Sequence, residues 1–245
     1  MRNALALLLL AAWLSGCTSQ ANRDPSGIWI NQAAIDAAAQ GGNLREALLA
    51  YGPNLEWHID GPRQLATFSD GFELGEGQLV AEPDARWRVD FYGDYHEQLR
   101  LKGDQLLQEE SESGPEQRFA RPAVKVAANA PPGSSFEQTL YAAYLGGTWK
   151  IKQGHGTGGL VLFHPDGKVE GFPGAERYAL CLAGDCAAMS GENDSLWLQL
   201  GEQGNTWIFK RDGEQLEIFE ALNRAQIDEM PDYAPGKSRW LLERD

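Results

Sequence analysis

Two cysteines five positions apart are the pair of side chains in this chain whose types and spacing most directly suggest chemistry. Cys181 and Cys186 bracket the segment Cys-Leu-Ala-Gly-Asp-Cys, whose Gly-Asp pair predicts a turn. In an oxidising compartment such a pair forms a disulfide. Because the closed loop is short, the bond removes little chain entropy, and we expect it mainly to fix the tip of a hairpin.

A metal site is the competing interpretation of the same cysteines. Together with His155 and His164 they could in principle supply four ligands. Their spacing matches no standard zinc pattern, and a disulfide would consume both thiols. The sequence therefore favours a structural bridge, surface histidines and no metal.

Catalytic patterns are absent from the sequence. The glycine-rich segment that starts at His155 lacks the Lys-Ser/Thr of a phosphate-binding loop, and Ser134 and Ser190 lack a Gly-x-Ser-x-Gly elbow. His58 lies between Trp57 and Ile59, so alternation predicts that it faces solvent. The remaining candidates are carboxylates, which we interpret as solvated: Glu109, Glu110, Glu112, Asp90 and Asp94. We expect no catalytic residue and no cofactor, and hence a protein that is not an enzyme.

Charge and composition exclude some classes of partner and of structure. The net charge is −14, and such an acidic surface repels phosphate backbones, so we expect no nucleic-acid partner. Eight tryptophans and 42% apolar residues predict a folded protein rather than a disordered tail.

The amino terminus has the features of an export signal. Arg2 is followed by an apolar run from Ala4 to Leu14, which is too short to span a bilayer, and then by Ser15-Gly16-Cys17. Leu14-Ser15-Gly16-Cys17 resembles the lipobox of bacterial lipoproteins. The resemblance implies a signal peptide over residues 1–16, a diacylglycerol on Cys17, palmitate-type acylation, and a tether over residues 17–25. Thr18 in place of Asp implies a lipid-anchored protein of the outer membrane that faces the periplasm.

The rest of the chain repeats one plan twice. Each half opens with Gly-x-Trp (Gly27 to Trp29, Gly147 to Trp149), continues through Phe and Asp-Gly to alternating aromatic strands, and closes with an aromatic residue and an arginine. Landmarks in the same order indicate a diverged tandem repeat. We therefore predict domains over residues 26–121 and 135–245, joined by a linker over residues 122–134 that is rich in proline and alanine.

Period-two alternation and regularly spaced turns predict an antiparallel barrel or sandwich in each half. Leu55, Trp57 and Ile59 alternate with polar residues, as do Trp87, Val89 and Phe91. Helices are expected at four places only: residues 33–39, a start at Asn43, a start at Ser134 with Glu137 three positions later, and more weakly residues 221–230.

The order of these landmarks resembles that of lipocalin-like β-barrel domains. The resemblance implies that Trp29 and Trp149 close one end of each barrel, with Arg121 across the first indole and Arg244 or Arg239 across the second. Each half has only about 95 residues, so the resemblance leaves open a barrel with fewer strands or a half-open one. It identifies no ligand-binding residue.

The expected function is a non-catalytic binding module on the cell envelope, anchored to the membrane by covalent lipid and recognising a small molecule or a protein partner. One alternative is an inhibitor whose acidic loop, near Glu109–Glu116 or at the Cys181–Cys186 tip, enters the cleft of a basic enzyme such as lysozyme. Another is an envelope hydrolase with an unrecognised site, which clustered histidines and carboxylates with shifted pKa values would favour.

Overall fold

The computed structural model describes residues 24–127 and 129–245, and its architecture is two antiparallel β-barrels in tandem with four short helices. This confirms the predicted fold class. The signal peptide, Cys17 and most of the tether lie outside the described residues. Within the described residues, no helix is long and apolar enough to cross a bilayer.

The first barrel is an eight-stranded up-and-down meander in which each strand pairs with the next. A bridge between Ile30 and Ala120 joins its first and last strands, with both backbone hydrogen bonds made, at 2.8 and 2.9 Å. Its strands are β1 (Gly27–Ile30), β2 (Glu56–Asp60), β3 (Leu65–Ser69), β4 (Leu74–Glu82), β5 (Arg86–Asp90), β6 (His96–Lys102), β7 (Gln105–Gln108) and β8 (Gln117–Phe119).

The second barrel has the same number of strands but closes differently. Its last strand pairs with its first, with Arg244 opposite Trp149, and the nearly closed seam lies between β11 and β12, beside a bridge from Lys168 to Arg177. Its strands are β9 (Gly147–Gly154), β10 (Leu160–Phe163), β11 (Val169–Glu170), β12 (Arg177–Leu180), β13 (Asp194–Leu200), β14 (Gln203–Asp212), β15 (Gln215–Asn223) and β16 (Tyr233–Arg244). Each half has eight strands in spite of its short length, which is possible because several strands are only two to five residues long.

Alternating side chains fill the barrels. In the first barrel Trp57, Ile59, Trp87 and Val89 are buried in one apolar cluster, as period-two patterning predicts. In the second barrel the interior is mainly aromatic and aliphatic, and Trp149 is fully buried in a cluster that also includes the helices. Trp57 and Trp87, which alternation placed on an apolar face, are therefore in the core, whereas Trp197 of the second barrel is 43% exposed.

Three helices lie between the barrels and one lies beside the disulfide: α1 (Gln32–Ala39), α2 (Leu44–Leu49), α3 (Ser134–Tyr144) and α4 (Gly184–Ser190). The first three were expected. The helix expected over residues 221–230 is wrong, because β15 continues to Asn223 and a loop without helix follows. Helix α4 was not predicted, since the short segment from Gly184 to Ser190 read as a turn.

The two halves pack against each other through these helices. Ile35 of α1, Leu44 of α2 and Phe136 of α3 belong to one continuous buried cluster with the interior of the second barrel. Helices α1 and α2 are inserted between β1 and β2 of the first barrel, so residues of one half complete the core of the other. Packing the apolar side chains of these helices against the second barrel removes apolar surface from water, which favours a single packed unit.

Acidic side chains connect the halves in both directions by capping helices. Asp194 of β13 accepts hydrogen bonds from the backbone N–H groups of Leu44 (2.5 Å) and Arg45 (3.1 Å) at the start of α2. Glu56 of β2 accepts them from the backbone N–H groups of Gly133 (2.9 Å) and Phe136 (2.7 Å) at the start of α3. Each half thus supplies the carboxylate that satisfies the first-turn donors of a helix from the other half.

The cap of α3 corrects the predicted one. Ser134 was expected to begin a capping box with Glu137, but Ser134 is the first residue inside the helix, and the N-cap is Gly133, which has no side chain to cap with. The cap is instead supplied by the carboxylate of Glu56, 77 positions away along the chain. Arg211 adds a third connection: its Nη2 donates to the carbonyl of Ala39 at the end of α1, at 3.4 Å.

Candidate functional site at the junction of the barrels

The tryptophan–arginine pairs have the same construction in both barrels. The Arg121 guanidinium carbon lies 3.6 Å from the centre of the Trp29 ring, and that of Arg244 lies 4.7 Å from the Trp149 ring. Each indole N–H donates to a carbonyl four residues earlier: Trp29 to Pro25 at 2.7 Å and Trp149 to Leu145 at 2.8 Å. Arg239, the alternative partner for Trp149, forms an ion pair with Glu220 instead.

The glycine of each Gly-x-Trp motif is required by its backbone conformation. Gly27 has φ +115° and Gly147 has φ +109°, conformations that other residues rarely adopt. A Cβ at Gly27 would also collide with the Arg121 guanidinium, whereas at Gly147 it would only contact Arg244. The motif therefore provides the backbone that places each tryptophan beside its arginine.

Cys181 and Cys186 form the predicted disulfide, with a Cα–Cα distance of 5.8 Å. The bond does not fix a hairpin tip: it connects the residue after β12 to a residue inside α4. The segment between them includes Leu182, which is buried against the first half.

The histidines are dispersed, and one of them differs from its prediction. His58 is not simply solvent-facing: its side chain is 26% exposed, and its Nε2 lies 2.5 Å from the fully buried carboxylate of Glu56. His164 lies 3.0 Å from Glu170 at the surface, whereas His96 and His155 are exposed. Among the described residues no group of three or more His, Cys, Asp or Glu side chains could hold a metal ion.

A pocket of 200 Å³ lies where the two halves meet. Segments from the first barrel, from the start of α3 and from the disulfide-bearing segment all contribute to it, so it exists only because the halves are packed together. Its lining consists of Leu55, Ser69, Gly71, Phe72, Leu74, Pro132, Gly133, Phe136, Glu137 and Leu182. Small ligands commonly bind in concave sites between packed units, and the surface of this one is polar and apolar in about equal parts.

The turn between β3 and β4 shapes one wall of this pocket. The Oδ1 of Asp70 accepts hydrogen bonds from the backbone N–H groups of Phe72 (2.8 Å) and Glu73 (2.7 Å), which holds the turn in one conformation. Phe72 then rests against Gly184, where any Cβ would collide with the ring. Phe72 and Leu74 remain 53% and 55% exposed and form the opening, whereas Leu55, Phe136 and Leu182 form the buried wall.

Glu137 is the one charged residue among those that line the pocket. No described residue forms a hydrogen bond to its side chain or an ion pair with it. Although part of the residue is exposed, incomplete solvation of the carboxyl raises its pKa above the usual value of 4.5, and the neighbouring Glu56 carboxylate raises it further. The pocket therefore contains a negative charge for which the protein supplies no partner.

Glu97 of β6 is a second carboxylate without a cation. It is fully buried inside the first barrel, and its Oε1 accepts hydrogen bonds from the hydroxyls of Tyr95 and Ser111, while its Oε2 has no partner. Burial and the hydrogen bond to Glu97 raise the pKa of Tyr95 to about 12, so its hydroxyl remains a donor. No pocket adjoins the free oxygen, since its accessible surface is below 1 Å². We therefore interpret Glu97 as part of the barrel interior.

The acidic segment from Glu109 to Glu116 is folded back onto the first barrel. Glu109 lies 3.3 Å from Arg100 and 3.6 Å from Arg86, and Glu116 lies 3.0 Å from Arg118. Ser111 and Gly114 form a backbone bridge that closes the segment. Two of its four glutamates, Glu109 and Glu116, are thus engaged by arginines of the same barrel, whereas Glu110 and Glu112 are exposed.

Comparison of the chain with protein-family models, with curated proteins and with solved structures finds no match.

Sequence reasoning missed the residues that form the pocket. Glu137 was noted only as part of an expected capping box, and Phe72 was not considered. A signal was present in the Ser-Asp-Gly-Phe turn, which places an aromatic residue directly after a tight turn, where a core partner is hard to reach. Which segment covers that residue depends on long-range packing, and local patterning does not contain that information.

Proposed function

We propose that this protein is a lipid-anchored component of the cell envelope that binds a small molecule without catalysing a reaction. The observation that carries the proposal is the junction pocket, a concavity with apolar side chains and a single unpaired carboxylate, built from both halves of the chain. The two barrel interiors are filled by their own side chains, so the ligand site we propose lies between the barrels rather than within either of them.

The sequence supports the anchored location. Cys17 at the end of a lipobox-like signal is the proposed site of lipid attachment, and Thr18 favours the outer membrane. The disulfide between Cys181 and Cys186 is consistent with an oxidising periplasm, because cytoplasmic thiols are usually kept reduced.

In the part of the chain that the structure describes, the side chains considered as catalytic candidates are dispersed, which favours a binding role. Among the described residues, the four histidines lie in separate places, and the pocket contains Glu137 but no histidine, cysteine or second carboxylate in its lining. A hydrolase of the types considered needs a nucleophile and a base within hydrogen-bonding reach of each other. The inhibitor alternative needs a protruding acidic loop, and in the segment Glu109–Glu116 the first and last glutamates instead form ion pairs with arginines of the same barrel.

Native mass spectrometry of the full chain, extracted from membranes, tests the binding role. We expect a non-covalently bound molecule that is released on denaturation. Replacing Leu74 at the pocket opening with Trp should remove the bound mass. The control Leu160→Trp changes a leucine of similar exposure (53% against 55%) on the second barrel and should leave the bound mass in place. A wild-type chain that carries no ligand would contradict small-molecule binding and would direct the search to a protein partner.

Metabolic labelling with palmitate tests the anchor separately. Wild-type chain should incorporate the label and fractionate with membranes, and Cys17→Ala should do neither. A labelled, membrane-bound Cys17→Ala variant would exclude Cys17 as the site of lipid attachment.

A further inference from the structure

We propose that the junction pocket selects an organic cation, namely an ammonium group carried on an apolar body about the size of one benzene ring. This inference rests on the proposed ligand-binding role of the same pocket and adds the chemical class of the ligand. Size, wall chemistry and charge each restrict that class.

Volume and walls define the body of the ligand. A dry cavity of about 150 Å³ lined by Leu, Ile and Phe holds benzene, and this pocket measures 200 Å³. Its buried wall consists of Leu55, Phe136 and Leu182, and the Phe72 ring lies at the opening. The space is below the 300–1,000 Å³ typical of sites for drug-sized ligands, so a single ring with one short polar arm fits the dimensions.

Charge defines the polar arm. The lining contains one carboxylate, Glu137, and no lysine, arginine or histidine. The Glu56 carboxylate, which accepts from the N–H groups of Gly133 and Phe136 in the lining, places a second acidic group nearby. A cation would pair with Glu137 and could also lie against the face of Phe72, since ammonium groups are attracted to aromatic faces.

An anion is disfavoured although the pocket adjoins the start of a helix. Free N–H groups at a helix N-terminus commonly bind anions. Here the N–H groups of Gly133 and Phe136 already donate to the two oxygens of Glu56, at 2.9 and 2.7 Å. The Glu56 carboxylate therefore already neutralises the partial positive charge at the start of α3. Glu137, in the first turn of this helix, lines the pocket itself.

Three probes of similar size and different charge test the inference: benzylamine, benzyl alcohol and benzoate. Binding to the full chain in detergent is measured by isothermal titration calorimetry at pH 7, and the same titrations into micelles without protein subtract partitioning into detergent. We expect benzylamine to bind with a Kd on the order of 1 mM, as befits a ligand of this size. Benzyl alcohol should bind at least tenfold more weakly, and benzoate should not bind detectably.

Variants locate the effect. Glu137→Gln should abolish the preference for benzylamine over benzyl alcohol while leaving the alcohol unchanged. Glu76→Gln, which removes a carboxylate on β4 that does not line this pocket, should keep the preference in full. Circular dichroism of both variants checks that the fold is retained.

The outcomes separate this inference from the proposed function. Equal binding of benzylamine and benzyl alcohol, lost in Leu74→Trp, would overturn the cation preference while the pocket remained a ligand site. A preference for benzylamine that persists in Glu137→Gln would overturn the role of Glu137. No binding of any probe, together with no ligand in native mass spectrometry, would overturn both proposals.

Discussion

The two barrels share one tryptophan–arginine arrangement and are filled differently. Arg121 stacks on Trp29 and Arg244 on Trp149, and both indoles donate to a carbonyl four residues earlier. Inside the first barrel, Asn54 and Trp57 both donate to the buried side-chain oxygen of Gln108. Both interiors contain edge-to-face aromatic pairs, such as Trp57 with Phe68 at 5.6 Å and Phe163 with Tyr178 at 5.1 Å, but the interior of the second barrel is continuous with the apolar cluster of the helices.

This difference indicates which features of the repeated plan are constrained. The tryptophan–arginine arrangement depends on a backbone conformation and a cation stacked on a ring, and few residues other than Gly, Trp and Arg can supply them. A barrel interior accepts either hydrogen-bonded polar groups or close-packed apolar ones, and in the first barrel it even contains one unpartnered oxygen, Oε2 of Glu97. The residues of the arrangement therefore recur in both halves while the interiors differ.

The largest effect on stability should come from removing Trp149 or Trp29, the tryptophans that stack with arginines. Trp149→Ala should lower the free energy of unfolding by about 3–5 kcal/mol, since the indole is fully buried in the cluster shared with the helices. Trp29→Ala should cost less, near about 3 kcal/mol, because residues 24–26 beside it can move into the space. Urea unfolding measures both.

Trp197→Ala provides the control for these variants. That indole is 43% exposed, and its loss should cost about 1 kcal/mol or less. A Trp29→Ala variant that is less stable than Trp149→Ala would show that the first barrel, rather than the shared core, limits stability.

An intermediate effect is expected from the carboxylates that cap helices across the junction. Glu56→Ala leaves two N–H groups of α3 without an acceptor, and Asp194→Ala does the same to α2, so each should cost about 1–3 kcal/mol. Each variant keeps the other cap and the buried cluster shared by the two halves. Both variants should therefore still unfold in a single transition by fluorescence and by circular dichroism.

The exposed Asp212 is the matched control, and Asp212→Ala should change stability by no more than about 0.5 kcal/mol. Two separate transitions in Glu56→Ala would mean that the barrels are coupled more weakly than the reciprocal caps imply.

The smallest expected effect on stability comes from the charge of Glu137 in the junction pocket. The pKa of Glu137 is raised in the folded protein, so the folded state binds this proton more tightly than the unfolded state does. The stability that this group contributes is therefore present below its unfolded pKa, near 4.5, and is lost as pH rises through the folded value. Glu137→Gln should match wild type at pH 3.5 and be slightly more stable at pH 7.

Thermal unfolding across this pH range measures the difference, with Glu76→Gln as a control that should follow wild type throughout. A Glu137→Gln variant that is less stable than wild type at pH 7 would indicate that the carboxylate is already paired by the protein.

Much of the fold could be read from local patterns, and most of the junction could not. Alternation located the strands around Trp57 and Val89, and Gly-x-Trp located the closures, because both signals depend on neighbours close in sequence. Glu56 shows the limit of prediction from local patterns. Alternation places it on the outer face of the barrel, as observed, but α3 covers that face, and the position of α3 depends on contacts 77 residues away along the chain. His58 was misjudged for the same reason.

The failure over residues 221–230 has another physical cause. The segment Ala221 to Asn223 has a composition compatible with a helix, but backbone pairing with β16 keeps it extended. The pocket was the least predictable feature, because its walls come from four separate stretches of chain that meet only after both halves are packed.

Reciprocal capping has a consequence for how this chain could change over generations. If the halves arose by duplication, each copy began with every donor satisfied internally. Once Glu56 and Asp194 had taken over the helix of the other copy, deletion of either half would leave bare helix ends and uncovered apolar surface in the survivor. Reciprocal capping would therefore make the two halves depend on each other for stability, so that selection retains both or neither.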